Sequence, residues 1–142
     1  MALMLWSDQY RTGLPGIDRE HQELFQCVNA FDEALRQGLN REQVAETIEF
    51  LIHYTANHFS KEEILLARTA YPGLRAHKAR HAELMEHVTA MAQTYQLTQS
   101  VLTVEVSQFL ADWLSQHVLK DDLAYASWVK STSPPPLTQS PS

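Results

Sequence analysis

The sequence has few of the residues that mark disulfide-bonded or membrane-spanning proteins. Its 142 residues include one cysteine and four glycines. The single cysteine, Cys27, excludes a disulfide within the chain and suits a reducing compartment. No apolar run approaches the roughly 20 residues that span a bilayer, and the N-terminal MALMLW lacks the basic start of a secretory signal. We therefore expect a cytoplasmic protein.

Basic charge is also scarce. The chain has 11 lysines and arginines against 17 aspartates and glutamates, which gives a formal net charge of −6. Because no block of basic residues occurs, neither nucleic acid nor an anionic membrane is expected as a partner. The hydrophobic content of 44% and the mean hydropathy of −0.30 are ordinary for a globular protein. The length suits one domain with a buried core.

Helical periodicity is the dominant pattern. Apolar residues recurring every three or four positions predict four amphipathic helices, at about residues 18–37, 40–69, 74–95 and from 100 or 103 to 120. Gly38 is expected to end the first helix and Asn40 to cap the second. No strand-like alternation occurs. The prediction is an all-α fold, an antiparallel up-down-up-down four-helix bundle with an extended N-terminal arm over about residues 1–16.

The last twelve residues differ in composition from the rest. The segment STSPPPLTQSPS at residues 131–142 consists of Pro, Ser, Thr and Gln apart from one leucine. Such a segment cannot bury enough apolar surface to offset the entropy lost on ordering. We expect one domain at residues 1–130, followed by a disordered tail at 131–142.

The chain has seven histidines and carboxylates of interest, and most of them stand on inward helix faces where leucine or isoleucine would be expected. The side chains concerned are His21, His58, Glu62, His77, His81, His117 and Asp122. Burying such a group without a partner costs a few kcal/mol, and more if it is charged. A metal cluster would supply a common partner for the whole set.

The spacing and the chemistry of the set both favour metal. His58 and Glu62 are four residues apart, as are His77 and His81, so each pair projects from one helix face. Imidazoles with carboxylates and no thiolate favour Fe, Mn, Zn or Cu. Seven ligands exceed one tetrahedral zinc site and suit two metals that share bridging carboxylates. In the fourth helix, regular spacing from His117 favours Asp121 over Asp122, and spacing alone leaves the choice open.

Four segments that contain these residues resemble the hemerythrin family. They are GIDREHQELF with His21, HFSKEE with His58 and Glu62, YPGLRAHKARH with His77 and His81, and WLSQHVLKDD with His117. The start, MALMLWSDQYRTGLPGID, is similar to bacterial single-domain members, and the resemblance extends over roughly residues 4–128. The up-down-up-down bundle is the known architecture of this family.

The resemblance implies a ligand set for two iron ions. His77, His81 and His117 would hold one iron, and His21 and His58 the other. Glu62, Asp122 and an oxo or hydroxo group would bridge them, since in the family a carboxylate follows the last histidine by five residues. The iron held by His21 and His58 then has the open position at which O2 binds.

The resemblance also implies a function, which is reversible O2 binding for carriage, storage or delivery. On this reading the protein is not an enzyme. We expect a monomer, with an oxygen-consuming protein as the candidate partner. The alternatives are an O2 or redox sensing module, or a di-iron enzyme such as an oxidase, a peroxidase or a protein that handles nitric oxide.

An apolar pocket should surround the O2 position. Six residues close to ligands in sequence are expected to line it, namely Leu24, Phe59, Leu66, Trp113, Leu114 and Val118. Leu114 should lean over the open position as a lid. Of the remaining residues, His53, His87 and Glu63 are expected on the surface, Cys27 as an inert thiol, and Trp6 and Trp128 in packing roles.

Overall fold

The computed structural model describes residues 2–98 and 101–132. Within these ranges the chain forms a short 3-10 turn and five α-helices with one π-helical segment between the last two. In chain order they are the turn Asp8–Tyr10, α1 Pro15–Arg36, α2 Arg41–Arg68, α3 Leu74–Leu97, α4 Val104–Gln116, the π segment His117–Asp122, and α5 Leu123–Thr132.

The helices pack as an antiparallel four-helix bundle. Helix α1 packs against both α2 and α4, and α2 packs against α3. The His87 ring on α3 lies 4.9 Å from the Phe109 ring on α4, so these two helices are also in contact. Short links join α1 to α2 and α2 to α3, which makes consecutive helices antiparallel. The described residues contain no strand, and the predicted fold class is confirmed.

Local chemistry explains the ends of α1 and α2. Gly38 adopts a positive φ of 70° just after α1, a conformation that glycine tolerates at a helix C-terminus. Asn40 caps α2 by accepting a hydrogen bond from the Gln43 backbone, and the Gln43 side chain bonds back to the Asn40 backbone. Helix α1 begins at Pro15, before the predicted start, because Asp18 holds the preceding loop by accepting bonds from Thr12.

The predicted end of the fourth helix near Lys120 is wrong. The chain passes from α4 through the π segment and continues as α5 to Thr132. A π turn inserts one extra residue without ending the helix. The helix therefore continues after His117, although its side chains face different directions from those of a regular helix. The predicted domain boundary at residue 130 therefore falls inside α5. The rest of the predicted tail, 133–142, lies outside the described residues.

The N-terminal arm packs against α1 through hydrogen bonds and aromatic contacts. The Met4 backbone N–H donates to the Asn29 side chain over 2.8 Å, and the Asn29 amide donates back to the Met4 carbonyl over 3.0 Å. Trp6 stacks on Tyr10, and both rings contact Phe25 of α1. These contacts confirm a packing role for Trp6 and bury Tyr10 within the predicted extended arm.

The core has two apolar clusters with a polar layer between them. The larger cluster is centred on residues such as Phe31 and Ile48, and the smaller one contains Leu66, Tyr125, Ala126 and Val129. Each long helix passes from one cluster to the other. On α3, for example, Leu74 packs against the small cluster and Leu84 belongs to the large one, with His77 and His81 between them. No described helix is both long and apolar enough to cross a membrane.

Candidate metal centre

The structure brings all seven predicted ligands into this polar layer. Each is at most 3% exposed. Their donor atoms form two groups in which every atom lies within 4.8 Å of the others. The larger group consists of Glu62, His77, His81, His117 and Asp122, and the smaller of His21, His58 and Glu62. Glu62 belongs to both.

The Nε2 atoms of the histidines all face the two carboxylates. Glu62 Oε1 lies 2.9 Å from His77 Nε2 and 3.1 Å from His81 Nε2. The other oxygen, Oε2, lies 3.2 Å from His58 Nε2 and 3.5 Å from His21 Nε2. Glu62 thus presents one oxygen to the three-histidine side and the other to the two-histidine side.

Asp122 spans the same two sides, and the π segment is the reason. Its Oδ1 lies 3.2 Å from His117 Nε2 and 3.1 Å from His77 Nε2, while its Oδ2 lies 3.0 Å from His21 Nε2. On a regular helix a residue five positions after His117 would point about 140° away, but the wider π turn returns it to the same face. Asp122 therefore joins the cluster, as the resemblance implied.

Asp121 occupies a different position from Asp122. Its Oδ2 lies 2.8 Å from His117 Nδ1, on the outer side of the ring, and its Oδ1 pairs with Arg80 over 3.2 Å. The regular i,i+4 spacing noted in the sequence is thus real, but it makes Asp121 a partner of the outer ring nitrogen.

Two more carboxylates that sequence reasoning missed have the same role. Glu20 Oε1 lies 2.6 Å from His58 Nδ1, and Glu63 Oε2 lies 2.8 Å from His81 Nδ1. The expectation of a solvated Glu63 is therefore wrong, because its carboxylate turns back onto His81. Each residue directly follows or precedes a predicted ligand, which places it at the helix edge facing a neighbouring helix. That adjacency is the signal that could have identified them.

These outer carboxylates determine the tautomer of three imidazoles. An ionised carboxylate can only accept a hydrogen bond, so Nδ1 of His58, His81 and His117 must carry the proton. In the neutral ring the lone pair then lies on Nε2, which faces inward. This is the arrangement that metal-ligating histidines use.

Tyr125 is a further residue that sequence reasoning missed. Its buried hydroxyl donates a hydrogen bond to Glu62 Oε2 over 2.7 Å. Burial, together with the negative charge of Glu62, raises the pKa of Tyr125 well above its usual value. The residue was missed because it lies beyond the predicted end of the fourth helix.

Without metal, the site holds protons strongly. Burial alone would lower the pKa of His21, but the negative charges of the nearby Asp122 and Glu62 carboxylates outweigh it and raise the pKa to about 9. The same balance raises the pKa of His77 to about 9. For His117, the charge of Asp122 raises the pKa to about 10 against the effect of burial. Two buried carboxylates therefore require positive charge beside them.

The donor set fits metal ions better than it fits protons. His21 Nε2 is within ion-pairing distance of Asp122, but among the described residues neither it nor Asp122 Oδ1 has a hydrogen-bond partner. A cation on the two-histidine side would satisfy His21 Nε2, and a second cation on the three-histidine side would satisfy Asp122 Oδ1. The distances of about 3 Å between inward donors also match neighbouring ligands around an ion with bonds of about 2.1 Å.

The six predicted pocket residues do not all lie together. Leu24, Phe59 and Leu114 line an internal apolar cavity of about 20 Å³. Val118 is buried in the same large cluster, and Trp113 packs against that cluster while stacking on His117 at 4.5 Å between ring centroids. Leu66 belongs to the small cluster on the other side of the polar layer. The structure therefore separates Leu66 from the other five.

The structure agrees with the expectations for His53, His87, Cys27 and Trp128. His53 and His87 are exposed. Cys27 is buried, and burial raises the pKa of its thiol to about 11, which disfavours the reactive thiolate. The Trp128 indole donates a hydrogen bond to the Thr69 carbonyl over 2.9 Å and so fastens α5 to the end of α2.

Comparisons with known proteins find one family along most of the chain. The family model for the hemerythrin HHE cation binding domain matches residues 12–129. A bacteriohemerythrin of Pseudomonas paraeruginosa is 33% identical over 130 residues, which is 92% of this chain and 84% of that protein. The myohemerythrin of Riftia pachyptila is 28% identical over 121 residues, covering 85% and 89% of the two chains. A crystal structure of wild-type hemerythrin superposes with a TM-score of 0.86 at 27% identity, over 90% of this chain and 98% of that one.

Proposed function

Because the chain belongs to the hemerythrin HHE cation-binding family, whose domain holds a di-iron, O2-binding site, we propose that it binds O2 reversibly for carriage, storage or delivery. The observation that carries this proposal is the buried polar layer. Five imidazole Nε2 atoms surround two carboxylates there, and no thiolate belongs to either donor group. This donor chemistry suits iron.

The two donor groups indicate which ligands would hold each ion. His77, His81 and His117 would hold one ion, and His21 and His58 the other. Glu62 and Asp122 would bridge the two ions, because each carboxylate has one oxygen near the three-histidine side and the other near the two-histidine side. The two-histidine ion would have the fewer protein ligands, so we expect O2 to bind on that side of the site.

When bound, the di-iron pair supplies the electrons and the open coordination position for O2. The chain's own contribution is to orient the ligands and to exclude water. Phe59 stacks face to face on His81 at 3.6 Å between centroids, and Leu24 and Leu114 are nearly fully buried beside the ligands. Apolar walls keep water and anions from the site and so favour release of unchanged O2. The recipient of the oxygen would be an oxygen-consuming protein.

The test is to count metal and to follow colour. The purified protein should contain two irons per chain, lose its colour on anaerobic reduction, regain a different colour in air, and lose it again when O2 is removed. His77→Ala should reduce the iron content, whereas His53→Ala, at an exposed histidine, should not.

Other outcomes would contradict the proposal. One zinc per chain, or no metal, would exclude the di-iron assignment. Continuous consumption of O2 in the presence of a reductant would favour the enzymatic alternative over reversible binding.

A further inference from the structure

The outer carboxylates are distributed unequally over the two donor groups. On the three-histidine side, Glu63 orients His81 and Asp121 orients His117. On the two-histidine side, Glu20 orients His58. His21 is completely buried, and its Nδ1 has no hydrogen-bond partner among the described residues.

This distribution leaves the two-histidine side with one oriented ligand. A carboxylate on the outer nitrogen fixes the ring's rotation and tautomer and raises the basicity of the inner nitrogen. Loss of such a partner costs about 10- to 100-fold in metal affinity. The three-histidine side would keep one carboxylate-backed ligand after losing either partner. The two-histidine side would keep none after losing Glu20.

Glu20 is itself held in place across a helix interface. It lies on α1 next to His21 and reaches over to His58 on α2. Its second oxygen, Oε2, accepts a hydrogen bond from Lys61 Nζ over 3.2 Å. The Glu20 side chain is 14% exposed, so the contact sits where the site meets the surface. Glu20 therefore connects both helices that supply this pair of ligands.

We propose that Glu20 is the positioning residue that sets how tightly the His21 and His58 position holds its metal ion. The two positions then differ in affinity, and the ion at this one leaves first. The inference rests on the ligand assignment made under the proposed function, and it adds which residue controls the metal affinity of the two-histidine position.

The test is the release of iron from the reduced holoprotein to a chelator without oxygen. The unaltered protein should release two irons in two phases. Glu20→Gln should speed the fast phase by about 10- to 100-fold and leave the slow phase unchanged. Glu63→Gln should speed the slow phase instead. His58→Ala, which removes a ligand of the pair, should abolish the fast phase and so identify it.

Glu23→Gln is the matched control. Glu23 lies on α1 three residues after Glu20, and its carboxylate accepts a hydrogen bond from Tyr54. Within the described part of the chain it forms no hydrogen bond or ion pair with a ligand histidine. Both phases should be unchanged in this variant. Circular dichroism and the unfolding midpoint of the holoprotein should also be equal for Glu20→Gln and Glu23→Gln, which separates positioning from a structural role.

Three outcomes would overturn the inference. They are equal acceleration of both phases by Glu20→Gln, no acceleration, or acceleration of the fast phase by Glu63→Gln. If Glu20→Gln does not fold, Lys61→Gln, which frees the Glu20 carboxylate, should speed the fast phase by a smaller factor, and no change would count equally against the inference. A wild-type protein that releases fewer than two irons would instead defeat the proposed function itself.

Discussion

Tyr125 and Glu62 are 63 positions apart in sequence, yet the Tyr125 hydroxyl donates a 2.7 Å hydrogen bond to Glu62 Oε2. The Tyr125 ring also packs edge-on against His77, with 5.3 Å between centroids. Helix α5 thus closes the polar layer from the side of the small cluster and fixes the rotation of the carboxylate that belongs to both donor groups.

Tyr125→Phe should loosen this arrangement. The change leaves a buried carboxylate oxygen with one donor fewer, and hydrogen bonds to charged groups contribute about 1.5–3 kcal/mol. We expect the free energy of unfolding of the metal-free protein to fall by roughly that amount, measured by urea denaturation. Tyr71→Phe is the control, because Tyr71 packs against Tyr125 without contacting Glu62. An equal loss in both variants would show that the hydroxyl bond to Glu62 contributes nothing specific.

The two neighbouring aspartates should differ in their effect on iron content. Asp122→Asn removes a carboxylate that reaches histidines on both sides of the site, so at least one iron per chain should be lost after desalting. Asp121→Asn keeps an acceptor at His117 Nδ1 and should retain two irons, with weaker binding. Iron analysis of both purified proteins is the measurement. Two irons in Asp122→Asn with loss in Asp121→Asn would reverse the assignment.

Leu114→Ala should shorten the lifetime of the oxygenated protein without lowering its iron content. Leu114 lies one turn before His117 and lines the internal cavity, so a smaller residue should admit water to the site. The decay of the oxygenated spectrum in air should be faster than in the wild type.

Leu110→Ala is the matched control for Leu114→Ala. Leu110 lines the same cavity one turn further from His117, and both changes remove a buried leucine side chain at a cost of about 2–5 kcal/mol. The control should oxidise at nearly the wild-type rate. Equal decay in the two variants would mean that general loosening of the core, and not the position of Leu114, controls oxidation.

The stability of the metal-free protein should fall as pH rises above neutrality. The pKa values of His21 and His77 are raised to about 9 and that of His117 to about 10 in the folded protein, against about 6.5 in the unfolded chain. A raised pKa contributes stability that is complete below about pH 6.5 and is lost as pH rises through 9–10. Thermal melting of the metal-free protein should therefore show a falling midpoint across this window.

The metal-loaded protein provides the comparison for this pH dependence. Metal ions bind neutral imidazoles, so the loaded protein no longer carries the extra protons on its histidines. Raising the pH therefore cannot destabilise it by removing those protons. The melting midpoint of the loaded protein should be higher and should change less between pH 6.5 and about 10. Parallel curves for the two forms would mean that the histidine cluster does not control the pH dependence.

The sequence by itself determined the bundle and the inward set of ligands. Periods of three and four residues are local properties of a helix, so they identify which side chains share its buried face. This is why His58 and Glu62, or His77 and His81, could be assigned together before any contact was known. The choice of Asp122 came from the resemblance to a family, because regular spacing favoured Asp121.

Only the tertiary structure decided what surrounds that set. The pairing of Glu20 with His58 and of Glu63 with His81 depends on which helix edges face each other, and the hydrogen bond from Tyr125 depends on a helix that continues past the π segment. Each of these contacts joins residues on different elements. Helix periodicity contains no information on the rotation of one helix against another, so it shows which residues are buried but not which partners they meet.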